Sequence, residues 1–396
     1  MQVASNARRI SRVLRAPLLL RQERYFISDD VEKLDSKQGS FAVLSKISGS
    51  ICGVSLPASS NVKFIGHHPM CSMMGRACFA SEASATEGGP SEAVKELYEK
   101  MLKSVEAQTM PPNAWMWSMI ENCANHEDIA LLFKILQNLR RFRLSNLRIH
   151  ANFNCNLCLR VTEACARVGA IDFGKKALWK HNVYGLTPSV GSAHYLLFYA
   201  KEQKDTELMV EIMRLLKRNS LPFQPGTADI VFRICYETDN WELISKYSKK
   251  FIKAGVKLRR TTFDTWMEFA AKRGDADSLW KIEKLRSDSM EQHTLKSGFS
   301  CAKGLLLEHK PESAAAVIQA LSQSLPDKMK PGIAVELEKL VSKWPYEVVE
   351  HQKKEDRKAL ASSLVNDIRA MVTGLLHMGL EVTVNLEDLT NKAIPS

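Results

Sequence analysis

Nine cysteines and ten histidines are the side chains with which this chain would bind metal or attack a substrate, and their spacing is informative. Cys155-Asn156-Leu157-Cys158, followed by Cys165 and preceded by His150, sets four donors close together in sequence. A zinc site usually pairs two such knuckles, and only one is present here. The His-x-Glu and Pro-Cys-x-x-Cys pairing with which zinc deaminases act on bases is missing, as are a phosphate-binding loop, a dinucleotide fingerprint and a nucleophile elbow. The expectation is a protein without catalytic residues, metal, cofactor or small-molecule substrate.

The second chemistry on offer is anion binding. Arg140, Arg141, Arg143 and Arg148 form one basic cluster, interrupted by Phe142, Leu144 and Leu147. From Ser245 to Arg260 the chain holds Lys246, Lys249, Lys250, Lys253, Lys257, Arg259 and Arg260 with no acid. Arg214, Lys249 and Lys284 recur at 35-residue steps, so in a repeating fold they form a ladder. Arginine forks suit bidentate phosphate contact, and lysines supply point charges. Lysine is also what solvated helix faces ordinarily carry.

The elements that must position these residues follow from the same period. Phe263, Trp266, Met267 and Ala270 stand at i, i+3, i+4 and i+7, one face of a helix. Steps of 35 residues reach Ala228, Val231, Phe232 and Cys235; Ala193, Leu196, Leu197 and Ala200; Cys158, Val161, Thr162 and Cys165; and, forward, Gly298, Cys301, Ala302 and Leu305. A sixth copy, Met116, Met119, Ile120 and Cys123, lies 42 residues before its neighbour. Only Thr162 and Gly298 fall outside the hydrophobic class. The cysteines in these rows occupy a place that wants a small apolar residue, which explains them better than metal binding does.

A turn is expected at one offset after each helix, at Gly169, Lys204, Asp239, Gly274 and His309. A second helix follows, with apolar rows Gly174, Met209, Ile244, Leu279, Ala314 and Ala177, Ile212, Tyr247, Ile282, Val317. Breaks close the units at Gly185-Leu186, Ser220-Leu221 and Gly255-Val256. Two helices cannot bury both apolar faces alone, so successive units must stack. The fold expected over residues 92–329 is all-α, a right-handed α-solenoid of helix-turn-helix repeats of about 35 residues, with Leu97 to Met101 in a partial leading unit. Residues 330–396 leave the phase. Helices from Pro331 to Lys343 and from Pro345 to about Met378, the latter striped by Leu360, Leu364, Ile368, Met371 and Leu375, are expected to cap the last unit.

These units, with endings such as Phe251-Ile252-Lys253-Ala254-Gly255-Val256, resemble pentatricopeptide repeats. The resemblance implies recognition of RNA along the first helices, one base per unit. The positions that would read bases are Leu159, His194, Asp229, Asp264 and Phe299, paired with Ser189, Gln224, Arg259, Thr294 and Met329. Asn156, Gly191, Gly226, Thr261 and Lys296 stand where the family places a base-sandwiching valine. No unit offers a readable pair, and two carboxylates would face passing phosphates. Structured RNA held on basic outer surfaces with low sequence specificity, most plausibly ribosomal RNA beside mitochondrial ribosomal proteins, is therefore the expected partner. A protein-binding assembly scaffold and a transcript-specific RNA maturation factor are the alternatives.

The front of the chain supplies the address. Residues 1–79 carry 11 Lys/Arg against 5 Asp/Glu, and Arg8, Arg9, Arg12, Arg15, Arg21 and Arg24 are interleaved with Ile10, Val13, Leu14 and Leu18 at helical spacing. This is the arginine-rich, acid-poor pattern of a presequence for the mitochondrial matrix. Plant-type cleavage is expected after Phe79 or, less favoured, after Phe26. No stretch is long and apolar enough to cross a membrane.

Overall fold

The computed structural model describes residues 89–144 and 147–380, all within one of two compact units; the other, Ala16–Cys78, lies outside the described residues, as does the expected presequence. Every extended regular element among the described residues is an α-helix. In chain order these are α1 (Glu92–Glu106), α2 (Asn113–Asn122), α3 (His126–Leu144), α4 (Leu147–Val168), α5 (Ile171–Ala177), α6 (Val190–Glu202), α7 (Thr206–Arg218) and α8 (Pro225–Glu237). Then come α9 (Trp241–Lys253), α10 (Arg260–Lys272), α11 (Ala276–Ser289), α12 (Leu295–Leu307), α13 (Pro311–Ser324), α14 (Lys330–Ser342), α15 (Trp344–Glu350) and α16 (Lys354–His377).

The turns fall where the period places them. Gly169, Lys204, Asp239, Gly274 and His309 all adopt left-handed backbone conformations, with φ of 81°, 52°, 53°, 70° and 57°. At each, the next amide reaches back to the first helix: Ala170 N to Cys165 O, Asp205 N to Ala200 O, Asn240 N to Cys235 O, Asp275 N to Ala270 O and Lys310 N to Leu305 O, all between 2.8 and 3.1 Å. These bonds satisfy carbonyls that a helix end leaves without partners. Asp205, Asn240 and Asp275 then accept the amides of Leu208, Leu243 and Ser278 at 2.9 Å, each capping a second helix. Gly185, Ser220 and Gly255 repeat the left-handed conformation at the unit ends.

Each first helix, from α4 through α6, α8, α10 and α12, packs on the next first helix and on its own second helix. The apolar rows are what they bury: all six sets of four residues, including Thr162 and Gly298, are shut away from solvent. Thr162 is tolerated because its hydroxyl donates to the carbonyls of Cys158 and Leu159, both at 2.9 Å, within its own helix. Gly298 is required by Leu321 of α13, whose Cδ1 would lie 2.4 Å from an added Cβ. Each fully buried Phe or Leu in these rows contributes about 1.5–3 kcal/mol.

The pair α4–α5 departs from the pattern. The second helix stops after Ala177, and Asn182, 9% exposed, replaces its missing turns: its amide donates to the carbonyls of Trp179 and Leu186, and its carbonyl accepts from the amides of Tyr184 and Leu186.

The tail does more than cover the last unit. Helix α16 packs on α13, with Leu364, Ile368, Met371 and Leu375 buried, and Gly379 ends it at φ 79°. The helix expected to run unbroken from Pro345 to Met378 is, however, two helices, parted at His351–Lys353. Two tertiary contacts and a local one hold the break open: Gln352 donates to the carbonyl of Arg273 at 3.0 Å, His351 Nε2 lies 2.8 Å from Asp239 Oδ2, and Arg357 reaches back across the break to the carbonyls of Gln352 and Glu350. The tail also turns back, α14 packing on α12 and α15 on α10.

Candidate nucleic-acid interface

The basic residues recurring at 35 lie on the exposed sides of second helices: Arg214 on α7, Lys249 on α9 and Lys284 on α11. The strongest concentration of charge is between α7 and α9. Lys250 holds its Nζ 4.9 Å from the centre of the Tyr247 ring. Partial burial and then the charges of Lys246, Lys217 and Arg214 hold its ammonium below the usual lysine range. Arg214 also bears on Tyr247, whose hydroxyl burial pushes up to about 12. Lys253 is exposed at the last turn of α9. Among the described residues none of Arg214, Lys217, Lys246, Lys249, Lys250, Lys253 and Lys284 has a carboxylate within ion-pair distance. Glu211, the acid three residues before Arg214 on the same helix, is held by Lys175 at 3.0 Å. Lys217 joins this group although its spacing gave no hint of it. Its neighbours lie across the α7–α9 boundary, a relationship that one helix's periodicity does not encode.

The arginine cluster is differently placed. Arg141, at the end of α3, lies over the ring of Phe142 and gives its guanidinium to the carbonyl of Val105, near the end of α1. Arg140 is half-buried, with Nε shut from solvent. The side chains of Arg143 and Arg148 lie outside those described. This end of the chain therefore places one arginine in a helix-capping role and one in the packing.

On the first helices, the positions that the repeat likeness marks for bases bond to the neighbouring unit. His194 Nε2 lies 2.8 Å from the Thr227 hydroxyl; Asp229 accepts from Thr261, Thr262 and Arg259; Asp264 accepts from Thr294 at 2.5 Å. Ser192, Thr227, Thr262 and Ser297 form a fully buried row of hydroxyls 35 apart beneath these contacts. Farther round the same helices, Glu163, Phe198, Arg233, Glu268 and Lys303 share one register. Phe198 is 45% exposed, whereas Lys303 is 7% exposed, because the tail lies over α12. Desolvation lowers the Lys303 pKa while Glu268, Glu336 and Glu347 favour its charged form. Toward α2 and α4 this face is open. There a cleft of about 280 Å³ is lined by Trp117, Glu121, Asn156, Arg160, Glu163 and Arg167. Arg160 pairs with Glu163 at 3.0 Å, and Arg167 donates to the carbonyls of Ile120, Glu121 and Cys123.

Two groupings have the donor types of a metal site. Cys158 and Cys165 are buried among apolar side chains, and burial pushes the Cys158 thiol to about 12 and that of Cys165 well up, as for small apolar core residues. Glu283, His293 and Cys301 bring their donor atoms within 4.8 Å of one another, a cluster that spacing did not disclose. Arg286 sits among them, donating to both oxygens of Glu283 at 2.8 Å and reaching 3.0 Å from His293 Nε2. A guanidinium there takes the carboxylate's lone pairs and repels a cation, and burial keeps the Cys301 thiol protonated. The cluster reads as a buried ion pair within α11 whose guanidinium also holds the loop leading to α12, through the carbonyls of Met290 and Gln292. Compared with known proteins, the chain matches no family model and no curated protein.

Proposed function

We infer that the chain is a non-enzymatic RNA-binding scaffold, a right-handed α-solenoid of pentatricopeptide type that holds structured RNA against the basic surface of its second helices. One observation carries the reading: Arg214, Lys217 and Lys246 crowd about Lys250 across α7 and α9, adding to its partial burial in holding that ammonium below the usual lysine range, with no carboxylate at ion-pair distance among the described residues. Uncompensated charge of this density costs stability and suits a polyanion. The bonds of His194, Asp229 and Asp264 to the next unit support low sequence specificity, since their polar edges are engaged within the protein. A mitochondrial matrix location beside ribosomal RNA and ribosomal proteins rests on the arginine-rich first 24 residues and on that low specificity.

The test is a salt titration of binding between the full-length chain and an RNA hairpin. Replacing Arg214, Lys217, Lys246 and Lys250 by Gln is expected to flatten the slope of log K against log salt by about 3–4. An unchanged slope rejects this surface as the interface. A second reading, a scaffold for protein assembly, is favoured by the way α14 and α15 lie on first helices: the same face, open from α2 to α6 and carrying the exposed Phe198, would take a partner's helix.

A further inference from the structure

The segment between α5 and α6 carries Trp179 with 54% of its surface exposed, and its indole makes no hydrogen bond or ring contact among the described residues. Tryptophan is the most costly side chain to leave in water, and an exposed one marks a recognition surface when its backbone is fixed. Here it is fixed on both sides. The side chain of Asn219, 8% exposed, donates to the carbonyl of Leu178 at 2.5 Å and accepts from the amide of Lys180 at 3.1 Å. Asn182 donates to the carbonyl of Trp179 itself at 2.8 Å, and Leu178 beneath it is 1% exposed. The indole thus stands on a mount that needs little ordering to bind.

The mount belongs to the basic surface. Asn219 caps α7 directly after Lys217 and Arg218, and Lys217 acts on Lys250 across the α7–α9 boundary. Lys180 and His181, both exposed, follow the ring's own residue in the chain. A flat aromatic face at the edge of a cationic strip offers two interactions at once: phosphates meet Lys217, Arg218 and Lys180, while the π-face accepts a base. A fully paired helix keeps its bases stacked on one another, so only an unpaired nucleotide reaches the ring.

We propose that Trp179 is a base-stacking site at the edge of the basic surface, selecting RNA helices that present an unpaired nucleotide. This deepens the RNA-binding reading and depends on it. The scarcity of apolar side chains favours RNA over a lipid surface, since the exposed large hydrophobics beside the ring on this segment come down to Val183.

The experiment uses the full-length chain and two RNA hairpins, identical except that one carries a single bulged 2-aminopurine nucleotide in its stem. Wild type is expected to bind the bulged hairpin about tenfold more tightly than the paired one and to quench the fluorescent base. Trp179→Ala should bind both as wild type binds the paired hairpin, without quenching and with the salt slope unchanged. Trp179→Phe should keep part of the preference. Equal wild-type affinity for the two hairpins without quenching overturns the stacking site and leaves RNA binding standing, whereas binding to neither rejects the RNA reading itself. A Trp179→Ala variant that loses affinity for both hairpins equally also overturns it. So does loss of binding to phosphatidylserine vesicles in that variant with quenching intact, which assigns the ring to a membrane surface.

Discussion

The indole Nε1 of Trp344 donates a 2.9 Å hydrogen bond to the carbonyl oxygen of Ala271, 73 residues earlier in the chain. Trp344 is 1% exposed and seats α15 on α10. Trp344→Ala is expected to cost about 3–5 kcal/mol and Trp344→Phe, which keeps the ring's bulk but not its donor, about 1 kcal/mol. Urea unfolding followed by circular dichroism measures both. Should the phenylalanine variant match the parent, the hydrogen bond adds nothing to the packing.

Gly298 and Leu321 fit each other, and the fit is measurable. Gly298→Ala drives a methyl into the leucine fork, a strain of about 1–3 kcal/mol against at most about 1 kcal/mol gained in helix propensity. Leu321→Ala should cost about 2–5 kcal/mol. The double variant is expected to be more stable than the sum of the two losses implies; strict additivity in a double-mutant cycle rejects the contact.

Lys204 and His309 hold left-handed conformations that a β-carbon disfavours. Lys204→Gly is expected to raise stability by up to about 1 kcal/mol. Gly274→Ala should lower it, since that glycine combines a φ of 70° with the Gln352 amide 2.5 Å from an added Cβ. Thermal midpoints of the two variants should move in opposite directions.

Burial, with the Arg259 guanidinium adding to it, pushes the His194 imidazole down to about 4. The unfolded chain, with an ordinary imidazole near 6.5, then binds more protons than the folded one between these values. Its contribution to stability is complete above pH 6.5 and is lost as the pH falls toward 4, by at most about 3 kcal/mol. His194→Gln keeps a polar partner for Thr227 and should flatten that loss. Parallel slopes for wild type and variant between pH 7 and pH 4.5 in urea unfolding contradict the assignment.

How much of this was legible beforehand depends on what kind of partner each residue has. The helix pairs and their turns were readable because stacking imposes one register on every unit. Lys204, Asp239 and His309 were placed by phase even though nothing in a lysine or histidine signals a left-handed turn. The return of the tail was not readable: Trp344 and Gln352 bond to backbone carbonyls, and a carbonyl has no sequence signature. The basic set was half visible. Arg214 and Lys250 stood out by spacing and composition, but Lys217 and Trp179 matter through neighbours on other elements. Among the arginines, Arg141 was equally conspicuous and proved to have the Val105 carbonyl as its partner.

Stacked hairpins that touch only their neighbours behave like beads in a row, each able to melt with little regard for distant ones. The segment from α14 to His351 breaks that independence. It lies on α12 and α10 and reaches Asp239 at the turn after α8, 112 residues from its partner. The part of the molecule from Asp239 onward is thereby stitched into one cooperative block, while among the described residues the main contacts of α1 to α7 are serial. Fraying under heat or denaturant should accordingly start from the amino-terminal side, and the pairs that carry Trp179 and Arg214 sit near the seam between the two behaviours.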